Sequence, residues 1–153
     1  MLDELLKVIS PEPLGEDRFL GGNMHPGAFR VYGGQVLAQC VRAAVATVDE
    51  SRAVHSQHAY FLRPGNPSQP IEFEVERARD GYSFSSRRVV ALQGGKPILV
   101  SSLSFQQVSK GDDYQPDMPD VPPPESLPSE RELSLEAGKL DESFMITTGE
   151  DLD

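Results

Sequence analysis

The chain has few of the residues on which several classes of protein depend. Its 153 residues include one cysteine, Cys40, and no tryptophan. One cysteine excludes an internal disulfide and zinc sites of the CxxC type, and it fits a reducing compartment. No apolar run approaches the roughly 18 residues that a membrane span needs. The start, MLDELLKVIS, carries acids in an amphipathic helical pattern and lacks the basic residues and apolar core of a signal peptide. These absences predict a cytoplasmic protein.

Positive charge is scarce, and negative charge is unevenly distributed. The net charge is −10. Residues 1–110 hold 12 Lys/Arg and 11 Asp/Glu, whereas residues 111–153 hold 2 and 13. The first part is therefore nearly neutral, and its basic residues adjoin each other only at Arg87 and Arg88. Nucleic acid is not an expected partner of such a chain.

The change in composition predicts two parts, a domain over residues 1–110 and an acidic, proline-rich arm over residues 111–153. Six prolines between residues 116 and 128 exclude a regular helix or a central strand there. After them, Ser129 and Glu132 have the spacing of a capping box, which predicts a short helix over residues 129–140.

The first part has an α+β pattern. Apolar residues recur at helical spacing over residues 35–48, in a stripe wide enough for a largely buried helix. Alternation and apolar runs predict four strands and a shorter one before the helix, over residues 54–63, 70–77, 83–92, 97–107 and 18–21. Residues 93–96, Gln-Gly-Gly-Lys, predict a hairpin turn. We therefore expect an antiparallel sheet wrapped around one long central helix.

Several stretches resemble, in the same order, the type II acyl-CoA thioesterase family, whose members carry two hot-dog repeats in one chain. They are VYGGQVLAQCVRAA (31–44), VHSQHAYFLRPG (54–65), ERARDGYSFSSRRVVALQGGKPI (76–98) and SFQQ (104–107). The likeness is to the first repeat, and MPDVPPPESLPSE (118–130) is similar to the connector that follows it. The resemblance implies a hot-dog fold and hydrolysis of acyl-CoA, with no cofactor or metal.

The chain departs from the family in its catalytic residues. The family uses an Asp, a Thr and a Gln, usually from the second repeat, and the resemblance places only the Gln on a matching residue, Gln106. The Thr position falls near Val54 and the Asp position near Gly33 and Gly34. Two interpretations remain open. The chain is an acyl-CoA thioesterase present as a single N-terminal-type repeat, or it is a non-catalytic acyl-CoA-binding or structural subunit that pairs with a catalytic repeat.

The start of the predicted helix and the end of the last strand supply the first candidate site residues. Gly33, Gly34 and Gln35 are candidate substrate-binding residues, because free N–H groups at a helix start suit the oxyanion of a reacting thioester. The alternative is that the glycines only tighten the entry turn. Gln106 is the candidate catalytic residue, with its amide on a water or on the thioester carbonyl. The alternative there is a polar residue at the edge of a strand.

Two further side chains are candidate substrate contacts. His58 and His55 are both possible general bases, and alternation places them on opposite faces of one strand. The alternative for each is a hydrogen-bonded core or interface histidine. Arg88 is a candidate for the CoA phosphates, since a guanidinium group suits them. The alternative is an ion pair with a glutamate of the neighbouring strand. Cys40 lies on the buried stripe, which favours packing over nucleophilic chemistry.

The expected sheet also predicts a partner. An isolated antiparallel sheet leaves an edge strand open, and pairing with another edge is the usual remedy. We therefore predict a homodimer or pairing with a second hot-dog repeat, with acyl-CoA as the substrate. As a further hypothesis, the negative charge of residues 111–153 screens the CoA-binding groove.

Overall fold

A computed structural model of the chain describes residues 2–138. The chain divides into two units, Met1–Gly111 and Asp112–Asp153. Within the described residues, the first unit contains α1 (Leu2–Val8), β1 (Glu12–Gly15), β2 (Arg18–Gly21), α2 (Gly33–Val45), β3 (Arg52–Phe61), β4 (Ile71–Asp80), β5 (Phe84–Gln93) and β6 (Lys96–Gln107). The second contains a 3-10 turn (Pro124–Ser126) and α3 (Glu130–Glu136). No helix among residues 2–138 is long and apolar enough to cross a membrane.

The strands form one antiparallel sheet in the order β1-β2-β4-β5-β6-β3. All five predicted strands are present, and the predicted hairpin between β5 and β6 is confirmed. Its turn passes through Gly94 and Gly95, whose φ angles are +54° and +72°. Positive φ at both central residues gives a turn whose twist matches that of the two strands. Strand β3 lies at one end of the described sheet and pairs with β6.

Strand β1 has no counterpart in the sequence-based prediction. Its residues, Glu-Pro-Leu-Gly, show no apolar alternation, and its turn into β2 uses Glu16 and Asp17 at φ angles of 42° and 60°. Asn-Gly or Gly-Gly is the usual signal for such a turn. Pairing with β2 therefore makes β1 a strand, although its local sequence does not favour one.

Helix α2 packs on one face of the sheet and contacts strands β2 to β6. Its buried face is small and apolar, with Val36, Cys40, Ala43 and Ala44 each at most 3% exposed. The strands present alternate residues to this face, and the largest fully buried apolar ones are Ile71, Phe73, Val89, Leu99 and Phe105. The predicted arrangement, an antiparallel sheet packed against one long helix, is confirmed. Burial raises the pKa of the Cys40 thiol to about 12, so this thiol packs as a neutral, apolar group.

One buried arginine ties the end of α2 to the sheet. Arg87 is 2% exposed, and each of its five N–H groups has an acceptor. Nε donates to Thr47 Oγ1 and Nη2 to the Thr47 carbonyl, at 2.8 and 2.9 Å. Nη1 donates to the carbonyls of Arg79 and Ser86, and Nη2 also reaches the Asp80 carboxylate at 2.8 Å. The C-terminal end of α2 is thereby fixed to β4 and β5.

The carboxylate that pairs with Arg87 continues this network to β3. Asp80 accepts a hydrogen bond from the Ser85 hydroxyl at 2.7 Å, and Arg52 on β3 donates to the same hydroxyl at 2.8 Å. The hydrogen bonds from Ser85 and then Arg87 hold the pKa of the Asp80 carboxyl below its usual value. Three strands and the helix end therefore share one chain of hydrogen bonds.

In the second unit, the predicted capping box is confirmed. The Glu132 N–H donates to Ser129 Oγ at 3.2 Å, and the Ser129 N–H donates to the Glu132 carboxylate at 2.6 Å. Helix α3 ends at Glu136, earlier than predicted, and Gly138 follows with a φ of 62°. A glycine in this conformation is the usual end of a helix. The last two residues of the predicted helix, 139 and 140, lie outside the described residues.

Candidate functional site

Helix α2 begins with two free backbone donors. Its N-cap residue, Tyr32, makes no capping hydrogen bond through its side chain. The N–H groups of Gln35 and Val36 both donate to the Tyr32 carbonyl, at 3.1 and 3.4 Å. Within the described part of the chain, the N–H groups of Gly33 and Gly34 have no acceptor. These two groups stand at the positive end of the helix dipole, where an anion is stabilised.

The two glycines make room for aromatic rings. Both lie in helical backbone, and neither has a positive φ. A Cβ atom on Gly33 would lie 3.0 Å from Cζ of Phe61, and one on Gly34 would lie 2.5 Å from Cε1 of Tyr32. A left-handed turn is therefore not the reason for the glycine pair. The pair allows two aromatic side chains to lie against the first turn of α2.

Beside Gly33 lies an apolar groove of about 750 Å³, which we call the α2 groove. Its apolar lining includes Phe29, Val31, Phe61, Leu62, Ile98 and Leu99. Arg30 and Arg63 also line it, and no carboxylate of residues 2–138 does. A concave apolar surface with a few polar groups at its border is typical of a small-molecule site.

Gln35 holds the loop before α2. Its buried side chain accepts a hydrogen bond from the Met24 N–H at 3.2 Å. Its Nε2 donates to the Gly22 carbonyl and to Asn23 Oδ1, at 3.2 and 3.0 Å. Both its backbone N–H and its amide are therefore used within the protein. Gln35 therefore has no free donor for the substrate contact that the sequence predicted, whereas the backbone N–H groups of Gly33 and Gly34 are free in the described part of the chain.

Arg88 and His58 lie in one row on the sheet face opposite α2. Both are directly opposite Ser102, Arg88 on β5 and His58 on β3. Arg88 Nη1 lies 3.5 Å from the Glu76 carboxylate, which is the alternative that the sequence left open for this residue. The His58 ring packs edge-on against Tyr60, with ring centroids 4.7 Å apart. Neither side chain lines the α2 groove.

Gln106 also lies on the face opposite α2, near the far end of the sheet. Its Nε2 donates to Ser109 Oγ at 3.4 Å, a long contact. The α2 groove reaches β6 at Leu99, which is opposite Phe61. Gln106 lies seven positions after Leu99 along the strand, which is about 23 Å at 3.3 Å per residue. One copy of the chain therefore does not bring Gln106 to the glycines at the start of α2.

The prediction that His55 and His58 lie on opposite faces of the strand is wrong. A β-bulge between Val54 and Ser56 adds a residue and reverses the alternation. His55 Nε2 thus lies 2.9 Å from Ser104 Oγ, on the same face as His58. Among residues 2–138, no carboxylate hydrogen-bonds either ring, and no three His, Cys, Asp or Glu side chains are placed to hold a metal ion.

Known proteins share this sequence and this architecture. The sequence model of the family described as "Acyl-CoA thioesterase N-terminal domain" matches residues 20–106. Human acyl-coenzyme A thioesterase 8 is 47% identical over 121 residues, which are 78% of this chain and 38% of the human protein. The solved tesB protein of Mycobacterium avium subspecies paratuberculosis is 41% identical, with a TM-score of 0.75 over 82% of this chain and 50% of that one.

A more distant structure supports the fold alone. It is a protein from Alicyclobacillus acidocaldarius, described as having a hot-dog fold, with 20% identity and a TM-score of 0.70 over 81% of this chain and 47% of that one. The chain spans half or less of the length of each of these proteins. The family match runs from β2 to the end of β6 and includes the start of α2. The chain therefore has the expected hot-dog fold and belongs to the acyl-CoA thioesterase N-terminal domain family.

Proposed function

We propose that the chain hydrolyses acyl-CoA to a fatty acid and CoA, as one hot-dog unit of a site that a second unit completes. One observation carries the need for a second unit. Strand β3 has β6 as its neighbour on one side, and its other side is open in the described sheet. Eight of its ten residues are exposed. An open, exposed strand of this length is normally covered by another strand, here from a second copy or a second repeat.

Pairing through β3 would also change which residues are neighbours. If two copies pair antiparallel about the middle of β3, the Arg52 end of one strand meets the Phe61 end of the other. The α2 groove of one unit then lies next to the end of the sheet that carries Gln106 in its partner. A pair thus shortens the separation of about 23 Å along the strands that a single copy leaves between them, although Gln106 still faces away from α2.

The α2 groove and the free N–H groups suit two requirements of thioester hydrolysis. The reaction needs donors for the oxyanion that develops on the carbonyl and a water positioned for attack. We assign the oxyanion to Gly33 and Gly34 and the acyl chain to the α2 groove. Gln106 is the candidate for holding the water.

The remaining candidates, Arg88 and His58, lie on the sheet face opposite the α2 groove. Arg88 and Glu76 are both more than half exposed, and exposed ion pairs are weak. Arg88 is therefore available to a CoA phosphate, with His58 in the same row of the sheet. With an acyl-CoA substrate, the chain would act in fatty acid metabolism. A cytoplasmic location stays a prediction, supported by the single buried cysteine.

A second candidate function is a non-catalytic unit that binds acyl-CoA or supports a catalytic repeat. The observation that favours it concerns the side chains that surround the two glycines. Aromatic rings fill the positions next to Gly33 and Gly34, and in the described part of the chain no carboxylate lines the α2 groove. Such a unit would supply binding and leave activation of the water to its partner.

Release of the CoA thiol from dodecanoyl-CoA by the purified chain separates the two functions. The rate per chain is measured across a range of protein concentrations, with sedimentation on the same samples. A rate that rises in parallel with the dimer fraction supports hydrolysis by a paired site. A folded, dimeric chain without turnover would overturn hydrolysis by this chain and leave the binding function.

A further inference from the structure

Among the described residues that line the α2 groove, two are positive and none is negative. Arg30 directly precedes Val31, whose N–H donates to the Gly65 carbonyl at 3.0 Å. Arg63 lies two residues before Gly65, so this hydrogen bond brings the two arginine-bearing segments side by side. Both arginines are exposed, and both line the groove together with its apolar residues.

Arg63 is held at the groove from two sides. Its backbone N–H donates to the Ile98 carbonyl at 3.2 Å, and its Nη1 donates to the Pro97 carbonyl at 2.6 Å. One of the five guanidinium N–H groups is used in this way, which leaves four for a ligand. The ion pairs among residues 2–138 include neither Arg30 nor Arg63. Their positive charge is therefore not neutralised within the described part of the chain.

We propose that the α2 groove binds a single-chain amphiphile, with its hydrocarbon tail on Phe29, Phe61 and Leu62 and its anionic head group on Arg30 and Arg63. Guanidinium groups bind carboxylates and phosphates through pairs of parallel hydrogen bonds. The inference rests on the proposed function for the choice of ligands, since acyl-CoA and the free fatty acid both combine an acyl chain with an anionic group. It does not require that this chain carries out the hydrolysis.

The charge of the groove favours a small anionic ligand over a second copy of the chain. An isologous contact centred on the groove would place Arg30 and Arg63 against the same two residues of the other copy. Four guanidinium groups would then face one another without a carboxylate in the lining. Like charges placed together in an interface oppose association.

Titration calorimetry on the full chain at low salt tests the inference. The probes are dodecanoyl-CoA, dodecanoate, CoA and the uncharged amphiphile dodecyl maltoside, each below its micelle concentration. We expect the double variant Arg30→Gln/Arg63→Gln to bind the anionic amphiphiles at least tenfold more weakly and the maltoside as wild type does. Arg42→Gln is the matched control, because Arg42 is an exposed arginine in the last turn of α2 that does not line the groove, and its removal should leave the binding of all four probes unchanged.

The pattern of losses identifies the head group. A loss for dodecanoate assigns the arginines to the carboxylate of the free acid, whereas a loss for dodecanoyl-CoA and CoA without one for dodecanoate assigns them to the CoA phosphates. Unchanged binding of both dodecanoate and dodecanoyl-CoA by the double variant overturns the inference, and so does an equal loss for dodecyl maltoside. Wild-type chain that binds no amphiphile and is dimeric through this groove also overturns it. Binding without turnover by a folded, dimeric chain overturns hydrolysis by this chain and leaves the inference standing.

Discussion

The ring of Tyr32 occupies the place that a Cβ atom on Gly34 would take. The nearest ring atom, Cε1, is 2.5 Å from that position, closer than real Cβ contacts come. Tyr32 is 76% exposed, so its ring has space to turn away. The glycine and the tyrosine are therefore a coupled pair, and a change at one position alters the effect of a change at the other.

This coupling predicts how Gly34→Ala acts on stability. Alanine is better than glycine inside a helix by about 0.8–1 kcal/mol, but in the wild-type chain the new methyl group must displace the Tyr32 ring. We expect the two effects nearly to cancel. In a Tyr32→Ala background, the same change should raise the free energy of unfolding by about 0.5–1 kcal/mol. Urea unfolding of the wild type, Gly34→Ala, Tyr32→Ala and the double variant checks this. Equal effects of Gly34→Ala in both backgrounds would show that ring and glycine are independent.

Arg87→Lys should destabilise the fold although it keeps the charge. Lysine has three donors at one nitrogen and cannot reach the five acceptors that surround the guanidinium group. A buried acceptor left without a donor costs about 1–3 kcal/mol, and we expect a loss in that range. Arg88→Lys is the control, because its exposed ion pair predicts a change within about 0.5 kcal/mol. Similar losses in the two variants would contradict this account of Arg87.

The pH dependence of stability should reveal Asp80. Because Ser85 and Arg87 lower its pKa in the folded state, Asp80 contributes stability that is present above its ordinary pKa of 3.8 and is lost as the pH falls through the folded value. Asp80→Asn does not titrate. The difference in urea midpoint between wild type and Asp80→Asn should therefore narrow from about pH 5 downwards. Asp17, whose pKa is lowered by Arg77, titrates in both proteins, so its contribution cancels in the difference between them. A difference in urea midpoint that stays constant with pH would show that Asp80 does not contribute to the pH dependence of stability.

The two neighbouring glutamines at the end of β6 distinguish the two faces of the sheet. Gln106 faces away from α2, and by alternation its neighbour Gln107 faces the α2 side, as does its register partner Arg52. Where the chain hydrolyses dodecanoyl-CoA, Gln106→Ala should lower kcat/KM more than tenfold, and Gln107→Ala should leave it within about twofold. The opposite result would remove Gln106 from the site and assign its role to Gln107, on the α2 side where Gly33 and Gly34 lie.

The acidic arm should weaken the binding of CoA at low salt. The variant Asp112→Asn/Asp113→Asn/Asp117→Asn/Asp120→Asn removes four negative charges from a segment without helix or strand. We expect tighter binding of CoA by this variant at low ionic strength. The difference should disappear near 1 M salt, where the Debye length is about 3 Å. Equal affinities at low salt would rule out screening by these four residues.

The elements of the fold were predictable because they depend on local pattern. The alternation in β4 and the helical spacing in α2 are visible in the sequence, and Gly94 and Gly95 mark their turn by themselves. The surroundings of Arg87 were not predictable in the same way. Arg87 and Arg88 are the same residue type side by side, and the burial of Arg87 depends on Thr47, which is 40 positions away.

The candidate site was predictable in part. The start of α2 and its two free N–H groups follow from the position of the glycines and the helical pattern. The reason for the glycines did not follow, because Phe61 meets Gly33 only when β3 lies beside the helix start. The separation of Gln106 from the α2 groove depends on strand register and length, which a motif match does not contain.

The open edge of β3 has a consequence for the behaviour of the chain in solution. Proteins protect such edges with lysine, proline, bulges or inward-pointing charges, and between Arg52 and Phe61 the strand has one arginine and one bulge. Exposed aromatic residues, Tyr60 and Phe61, stand at its far end. A strand of this composition is a template for disordered self-association when no partner covers it. Pairing would therefore protect the chain against aggregation, whether or not it also completes a site.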